Sequence, residues 1–483
     1  MIEVISEEQS TTLASALLAV DARQLDGLEQ ALVGAKDPQS VTVLVAVTAE
    51  LRATKQPLSP VEVKALIRLV KAVTRIIVRC VRTVMAEGDD VNGFVHLDAN
   101  LRPLMEFLVV VCVTFRLSDA QNATELLRWT PFVIHASVHF LCERLPAFDA
   151  MQCYSLAQEA VQSCQELHHA SSLSDLFGMA IDQVVSLSSQ DITKEDWVSE
   201  ASIAKHVLEW IVVQVVFPRL GGEVLGRLLA LVFPLVDDLT DATQLVGARM
   251  LRHVVKNVTA TELRWYSDVL LEVLRVASTS RKADTLDPVL ESLVVSLDKV
   301  SPPGDYQLYD RFVPRLLNDC SLCSEVALRV LYARHLRAVI TRLGAPHSIH
   351  LIRYLQPLLK VLIASFEGVN ATLIIETLET LRQTVLCAWP RIPSHTDEIF
   401  VGVLKAVALC EVLEGGMEQL PSSTDKKQIL ILCRDIFGLL HDLTRETQAI
   451  PTLLEQVIDE SQSLKPFCEK LLAELPDRQN VME

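Results

Sequence analysis

From Ile374 to Trp389, five apolar side chains (Ile374, Leu378, Leu381, Val385 and Trp389) recur four or three residues apart. That spacing returns each of them to one side of a 3.6-residue turn, so the segment predicts an amphipathic helix with a continuous apolar stripe. Pro390 predicts its end, because the ring carries no amide hydrogen and clashes with the turn before it. Trp389 is then expected at the rim of a packed core. A Trp-Pro pair in this place points to architecture or an interaction surface rather than catalysis.

A single amphipathic helix needs others to cover it, and the composition says what those are. Hydrophobic residues make up 50% of the 483, yet aromatics are only 5% and glycines number 16. This balance suits stacked Leu-, Val- and Ala-rich helices and lacks the turn glycines of an all-β or Rossmann-type chain. Helix-start signals recur: Ser59-Pro60-Val61-Glu62 has a capping serine, proline at the first helical position and a returning glutamate, and Thr259-Ala260-Thr261-Glu262 repeats the box. Short links between the runs predict antiparallel helix pairs, roughly eighteen helices in all. Periodicity weakens at residues 87–98, 186–202, 278–288, 301–305, 391–397 and 415–425.

Residues 242–258 and 324–340 resemble the second helix of a HEAT-type repeat, each with arginine inside an aliphatic stripe. Residues 205–217 read as one helix that is apolar on nearly all sides, hence a central one. The fold class expected is all-α, a degenerate HEAT/armadillo-like α-solenoid of stacked antiparallel helix pairs, in which each pair has too much apolar surface to stand alone. Residues 1–200 are expected to form an N-terminal helical region and residues 201–483 a C-terminal helical-repeat region.

The chemistry of known enzyme motifs is missing. The sequence has no GxxxxGK[ST] or GxGxxG loop and no Gly-x-Ser-x-Gly elbow. His135 and His139 share a helix face without the glutamate of HExxH, and are read as core or surface histidines. Cys320 and Cys323 form a lone CxxC; a zinc site with His335, His347 and His350 is the minor reading, and packing the major one. No cofactor or metal is expected. Eleven cysteines, scattered in apolar stretches, suit reduced core thiols rather than a disulfide framework. The apolar run near Phe107 is closed by Glu106 and Arg116, far short of the roughly twenty residues that a spanning helix needs. The start of the chain has no basic region leading into an apolar one, so the expected location is cytoplasmic and nuclear. A formal charge of −17 disfavours nucleic acid as a partner.

One charge pattern stands apart. On the helix beginning at Pro60, Lys64, Arg68, Lys71, Arg75, Arg79 and Arg82 follow at spacings of four or three, with no acid between Glu62 and Glu87. Six like charges in line repel, so an acidic partner, or an acidic face elsewhere in this chain, would relieve them; the alternative is a solvated face.

Three further segments carry a family resemblance. The first runs from Leu208-Glu209-Trp210-Ile211 through Val216-Phe217-Pro218-Arg219-Leu220-Gly221 to Leu235-Val236-Asp237-Asp238. The second is Leu331-Tyr332-Ala333-Arg334-His335-Leu336 with Thr341-Arg342-Leu343-Gly344; the third is Leu378 to Pro390 with Arg391. In this order they resemble the Tti-two family, the second Tel-interacting subunit of the TTT co-chaperone complex. The resemblance implies a non-enzymatic helical scaffold that binds Tel-two-like and Tti-one-like subunits. Such a complex works with the ninety-kilodalton heat-shock chaperone and an R2TP-type adaptor to mature the phosphatidylinositol-kinase-related (PIKK) kinases. The alternative is a general α-solenoid adaptor for transport or trafficking that holds acidic peptides. Within the matching segments, Phe217-Pro218 and Trp389-Pro390 are expected to plug helix ends, and Arg334 and Arg342 to pair with carboxylates such as Asp237 or Asp238.

Overall fold

The computed structural model describes residues 39–53, 58, 60–87, 91–117, 126–142, 152–411 and 422–475. Among them every regular element is helical, with twenty-one α-helices and no strand. They fall into two compact units, Met1–Tyr266 and Ser267–Glu483. The regions expected from sequence, 1–200 and 201–483, turned on where the family-like motifs begin rather than on packing.

In the first unit α1 (Gln39–Ala53), α3 (Val91–Leu117) and α5 (Gln152–Leu167) pack in one row, and α2 (Pro60–Glu87), α4 (Thr130–Leu141) and α6 (Leu173–Ser188) in a second. After the one-turn α7 (Lys194–Val198), helix α8 (Ile203–Val212) packs on α4 and α6, and α9 (Glu223–Val236) and α10 (Asp241–Asn257) close the layer, followed by the short α11 (Ala260–Arg264). The second unit is more regular. Helices α13 (Ala283–Val300), α15 (Val326–Leu343), α17 (Ala371–Cys387) and α19 (Ser423–Leu443) pack each on the next in one row. Helices α14 (Gln307–Leu322), α16 (Leu355–Ala364) and α18 (Thr396–Glu411) form the other, with α12 (Ser267–Ala277) packed on α13. Helices α20 (Ala449–Glu460) and α21 (Lys465–Glu474) follow α19. Within each unit the longer helices alternate between rows, and in each row one helix packs on the next, which is the stacking of a helical-repeat solenoid.

Local rules account for most of these elements. Ile374, Leu378, Leu381 and Val385 are each buried to 1% exposure or less, as the stripe requires. The repeat-like segments are helices α10 and α15. Asn370 caps α17 by accepting from the Leu373 amide at 3.0 Å. All eleven cysteines are free and buried. Among the described residues, no helix is long and apolar enough to cross a membrane.

Three expectations fail. The helix expected over residues 205–217 stops at Val212, and Val213, Val216 and Phe217 are exposed. Pro218 disfavours helical backbone at the residue before it, and the double glycine beyond gives the chain no reason to resume. The helix ending at Trp389 stops two residues sooner, and the indole is 53% exposed instead of sealing a core. The weakly periodic stretch 87–98 is helical from Val91 onward, because burial of Leu97, Leu101 and Leu104 outweighs the local polar residues. Ser59 lies outside the described residues, although the helix does begin at Pro60.

Candidate binding surface

Helix α2 buries Leu66, Val70, Val73 and Ile77, which turns its basic stripe outward. Lys64, Arg68 and Arg75 are exposed and make no hydrogen bond or ion pair among the described residues, whereas the other three cations are engaged. The Lys71 ammonium stands 4.8 Å over the ring of Phe132 on α4, a cation–π contact. Arg79 Nη2 lies 3.3 Å from the Asp191 carboxylate, and Arg82 donates to the Gln190 carbonyl at 3.0 Å and the Ser188 carbonyl at 3.4 Å. Those carbonyls lie at the C-terminal end of α6, where the helix dipole favours a cation. Asp191 takes a left-handed backbone, φ 57°, which short polar residues tolerate better than most.

Together these groups line a small open recess of about 40 Å³, bounded by Lys71, Arg75, Arg79, Arg82, Phe132 and Asp191. His135 also lines it, and behind lies His139. Both imidazoles are buried, 4.9 Å apart and edge to face, with His139 Nδ1 2.7 Å from the His135 carbonyl. Burial and the positive charge of Arg82 push His139 down to about 3, against a small opposing effect from that hydrogen bond. Burial, then His139 and Arg82, push His135 down as well, so both rings are neutral. Burial also lowers Arg82, to about 10, against the pull of Asp191. His135 Nε2 and Arg82 Nε are buried without a hydrogen-bond partner among the described residues. Sequence reading found the six cations but missed Phe132, Gln190 and Asp191, which no periodicity connects to α2.

The family-like residues sit at helix ends and between layers. Phe217, 54% exposed, and Pro218 lie in the turn after α8, so the plug expected there faces solvent. Gly221 is fixed by a clasp from α11. Thr259 Oγ1 accepts from the Glu262 amide at 3.3 Å and donates to Glu262 Oε2 at 2.8 Å, while Glu262 Oε1 accepts from the Gly222 amide at 2.9 Å. A Cβ at position 221 would overlap the Glu262 carboxylate where it lies in this clasp, so a side chain there would displace the glutamate. Burial raises the Glu262 carboxyl, but the hydrogen bonds from Thr259 and Gly222 outweigh it and hold it below the usual range. Asp237 follows α9, and Asp238 accepts from the Thr240 amide at 2.8 Å.

Arg334 and Arg342 pair with carboxylates of their own unit. Arg334 meets Glu376 on α17 at 3.1 Å, and Arg342 meets Asp298 on α13 at 2.6 Å. The reason is register: both arginines lie on α15, whose neighbours in its row carry carboxylates at the same height. Arg337 joins Glu376 and Glu379, and Thr380 Oγ1 donates to the Ala333 carbonyl at 2.9 Å. Gly344 ends α15 where a Cβ would overlap that of Cys387, and the Ala345 amide donates to the Cys387 carbonyl at 2.9 Å. Cys320 and Cys323 are buried, while His335 faces Asp287 and His350 faces Asp310, each at 2.8 Å. Among the described residues, no group of three or more His, Cys, Asp or Glu is placed to hold a metal ion.

No family model matches the chain. It is 27% identical to human TELO2-interacting protein 2 over 244 residues, 47% of this chain and 46% of that protein. The mouse and rat proteins of the same name are 26% and 25% identical over 241 residues. The matched stretch is thus about half the length of these relatives, and it agrees with the resemblance read from the three segments. Among solved structures, Kap121p aligns at TM-score 0.47 and 14% identity, over 94% of this chain and 48% of that one. Kap95p, from a structure concerning its binding to RanGDP, aligns at TM-score 0.46 and 10% identity, over 96% and 65%.

Proposed function

We propose that this chain is a non-catalytic scaffold subunit of a TTT-type co-chaperone assembly. The observation that carries the reading is the identity to TELO2-interacting protein 2 in three mammals. In this reading it binds Tel-two-like and Tti-one-like subunits in the cytoplasm and nucleus. Through them it serves maturation of PIKK kinases by the ninety-kilodalton heat-shock chaperone and its R2TP-type adaptor. Stacked helices suit this role because each layer presents side chains on a rigid frame, so that contacts far apart in sequence form one surface. The half-exposed aromatics Phe217 and Trp389, each followed by proline in a turn, are contact residues of the type that dominates interface energies.

Affinity purification of the tagged full chain from its native cell tests this directly. Tel-two-like and Tti-one-like chains should co-purify in stoichiometric amounts. Recovery of transport cargo without them would replace the reading with that of a general adaptor.

A further inference from the structure

Among the described residues, the recess at the end of the basic stripe is lined by four cations, Lys71, Arg75, Arg79 and Arg82, and by one carboxylate, that of Asp191. That leaves a formal excess of three positive charges on a chain whose net charge is −17. Among the described residues that line the recess, Asp191 is the one acid, and it is a loose counter-ion. Its contact with Arg79 is 3.3 Å long, both side chains are more than two-fifths exposed, and Asp191 reaches it from a turn rather than a helix. Arg75, beside it, has no hydrogen-bond or ion-pair partner among the described residues. Behind them His135, 3% exposed, lines the recess with its Nε2 unpartnered among the described residues, as is the buried Nε of Arg82. Arginines arranged in a fork around a small open recess match the oxygens of a phosphate group, which accepts several charge-assisted hydrogen bonds at once.

The charge also continues outward. Lys64 and Arg68 extend the same face, and from Lys64 to Arg75 the helix advances about 16 Å at 1.5 Å per residue. A free phosphate is far shorter than this, whereas an extended segment of about five residues covers it at roughly 3.3 Å each. We infer that the recess between α2, α4 and the turn after α6 binds a phosphorylated side chain of an acidic protein segment, with the phosphate between Arg75 and Arg79 and the flanking acids along Arg68 and Lys64. On binding, the phosphate takes the place of the Asp191 carboxylate at Arg79. Asp191 thereby sets a threshold, because a partner must outcompete a carboxylate already present. A dianionic phosphate does this and a single carboxylate does not.

The test uses the full chain and a fluorescent ten-residue peptide of glutamates with one central phosphoserine, its unphosphorylated twin, and inorganic phosphate. The phosphopeptide should bind, and Arg75→Glu should weaken it by at least about tenfold, the loss expected when a charged hydrogen-bonding partner becomes a repulsive one. Asp191→Asn should act in the opposite direction and tighten binding several-fold, since asparagine also tolerates the left-handed backbone. Lys427→Glu, exposed near the start of α19, should change nothing. Unchanged helical circular dichroism and melting confirm that each variant is folded. Equal affinity for the unphosphorylated twin overturns the phosphate assignment, and inorganic phosphate binding as tightly as the peptide overturns the protein segment as its source. Loss of binding in Asp191→Asn, or none in Arg75→Glu, overturns the site.

Discussion

At the scale of single residues, the buried imidazoles of His135 and His139 make a sign-determined prediction. Their protons bind more weakly in the fold than in the unfolded chain, since burial and Arg82 hold His139 near 3. The unfolded chain therefore takes up protons first as pH falls, and the stability these groups contribute is complete above about 6.5 and lost below it. The slope is about 1.4 kcal/mol per pH unit for each histidine. Thermal unfolding followed from pH 7.5 to 5 should show this acid loss, and His139→Gln should lessen its slope; an unchanged slope would place the titration elsewhere. Trp389 gives a second prediction. With the indole half exposed, Trp389→Ala should cost under about 1 kcal/mol, as surface substitutions do, and not the roughly 3 to 5 kcal/mol of deleting a buried aromatic. Denaturant unfolding decides, and a loss above about 2 kcal/mol would return the indole to a core. The stripe of α17 was legible because helical spacing is local. The side on which Trp389 emerges after the helix ends was not, since that depends on the next layer.

At the scale of elements, helix packing rests on close approach at a few points. The end of α15 meets the end of α17 at Gly344, where the Ala345 amide bonds to the Cys387 carbonyl. Gly344→Ala should destabilise by about 1 to 3 kcal/mol, because the added methyl forces two helix ends apart. Gly368→Ala is the comparison, since its Cβ would meet only the Ser365 carbonyl at 3.9 Å. Equal melting temperatures for the two variants would show that the ends of α15 and α17 have room to move. Sequence placed α10 and α15 to within a few residues, because each has a clean apolar stripe. It overran α8 by treating 213–217 as helix, where Pro218 was the stronger signal. Composition does not foretell the clasp of Glu262 on Gly222 either: the capping box was legible, and Glu262 does turn back on Thr259, but it also holds the neighbouring turn.

At the scale of the molecule, fold class was legible from the balance of aliphatics, aromatics and glycine, and the alternating rows follow from short links between helices. The pairing of charges was not. Arg79 finds Asp191 across more than a hundred residues, and Arg334 finds Glu376 one layer on, distances over which no pattern in the chain carries information. The division between Tyr266 and Ser267 has no glycine or proline to mark it. Within the second unit, α13, α15 and α17 behave in mechanical terms as a laminate. Dry aliphatic faces resist being pulled apart, while their lateral position is fixed by the buried Thr380–Ala333 hydrogen bond and by ion pairs at the wet margin, Arg342–Asp298 and Arg334–Glu376. Salt reaches only the pairs at the margin, so added salt loosens these edge ties and leaves the buried contacts, and with them the thickness of the stack, unaltered.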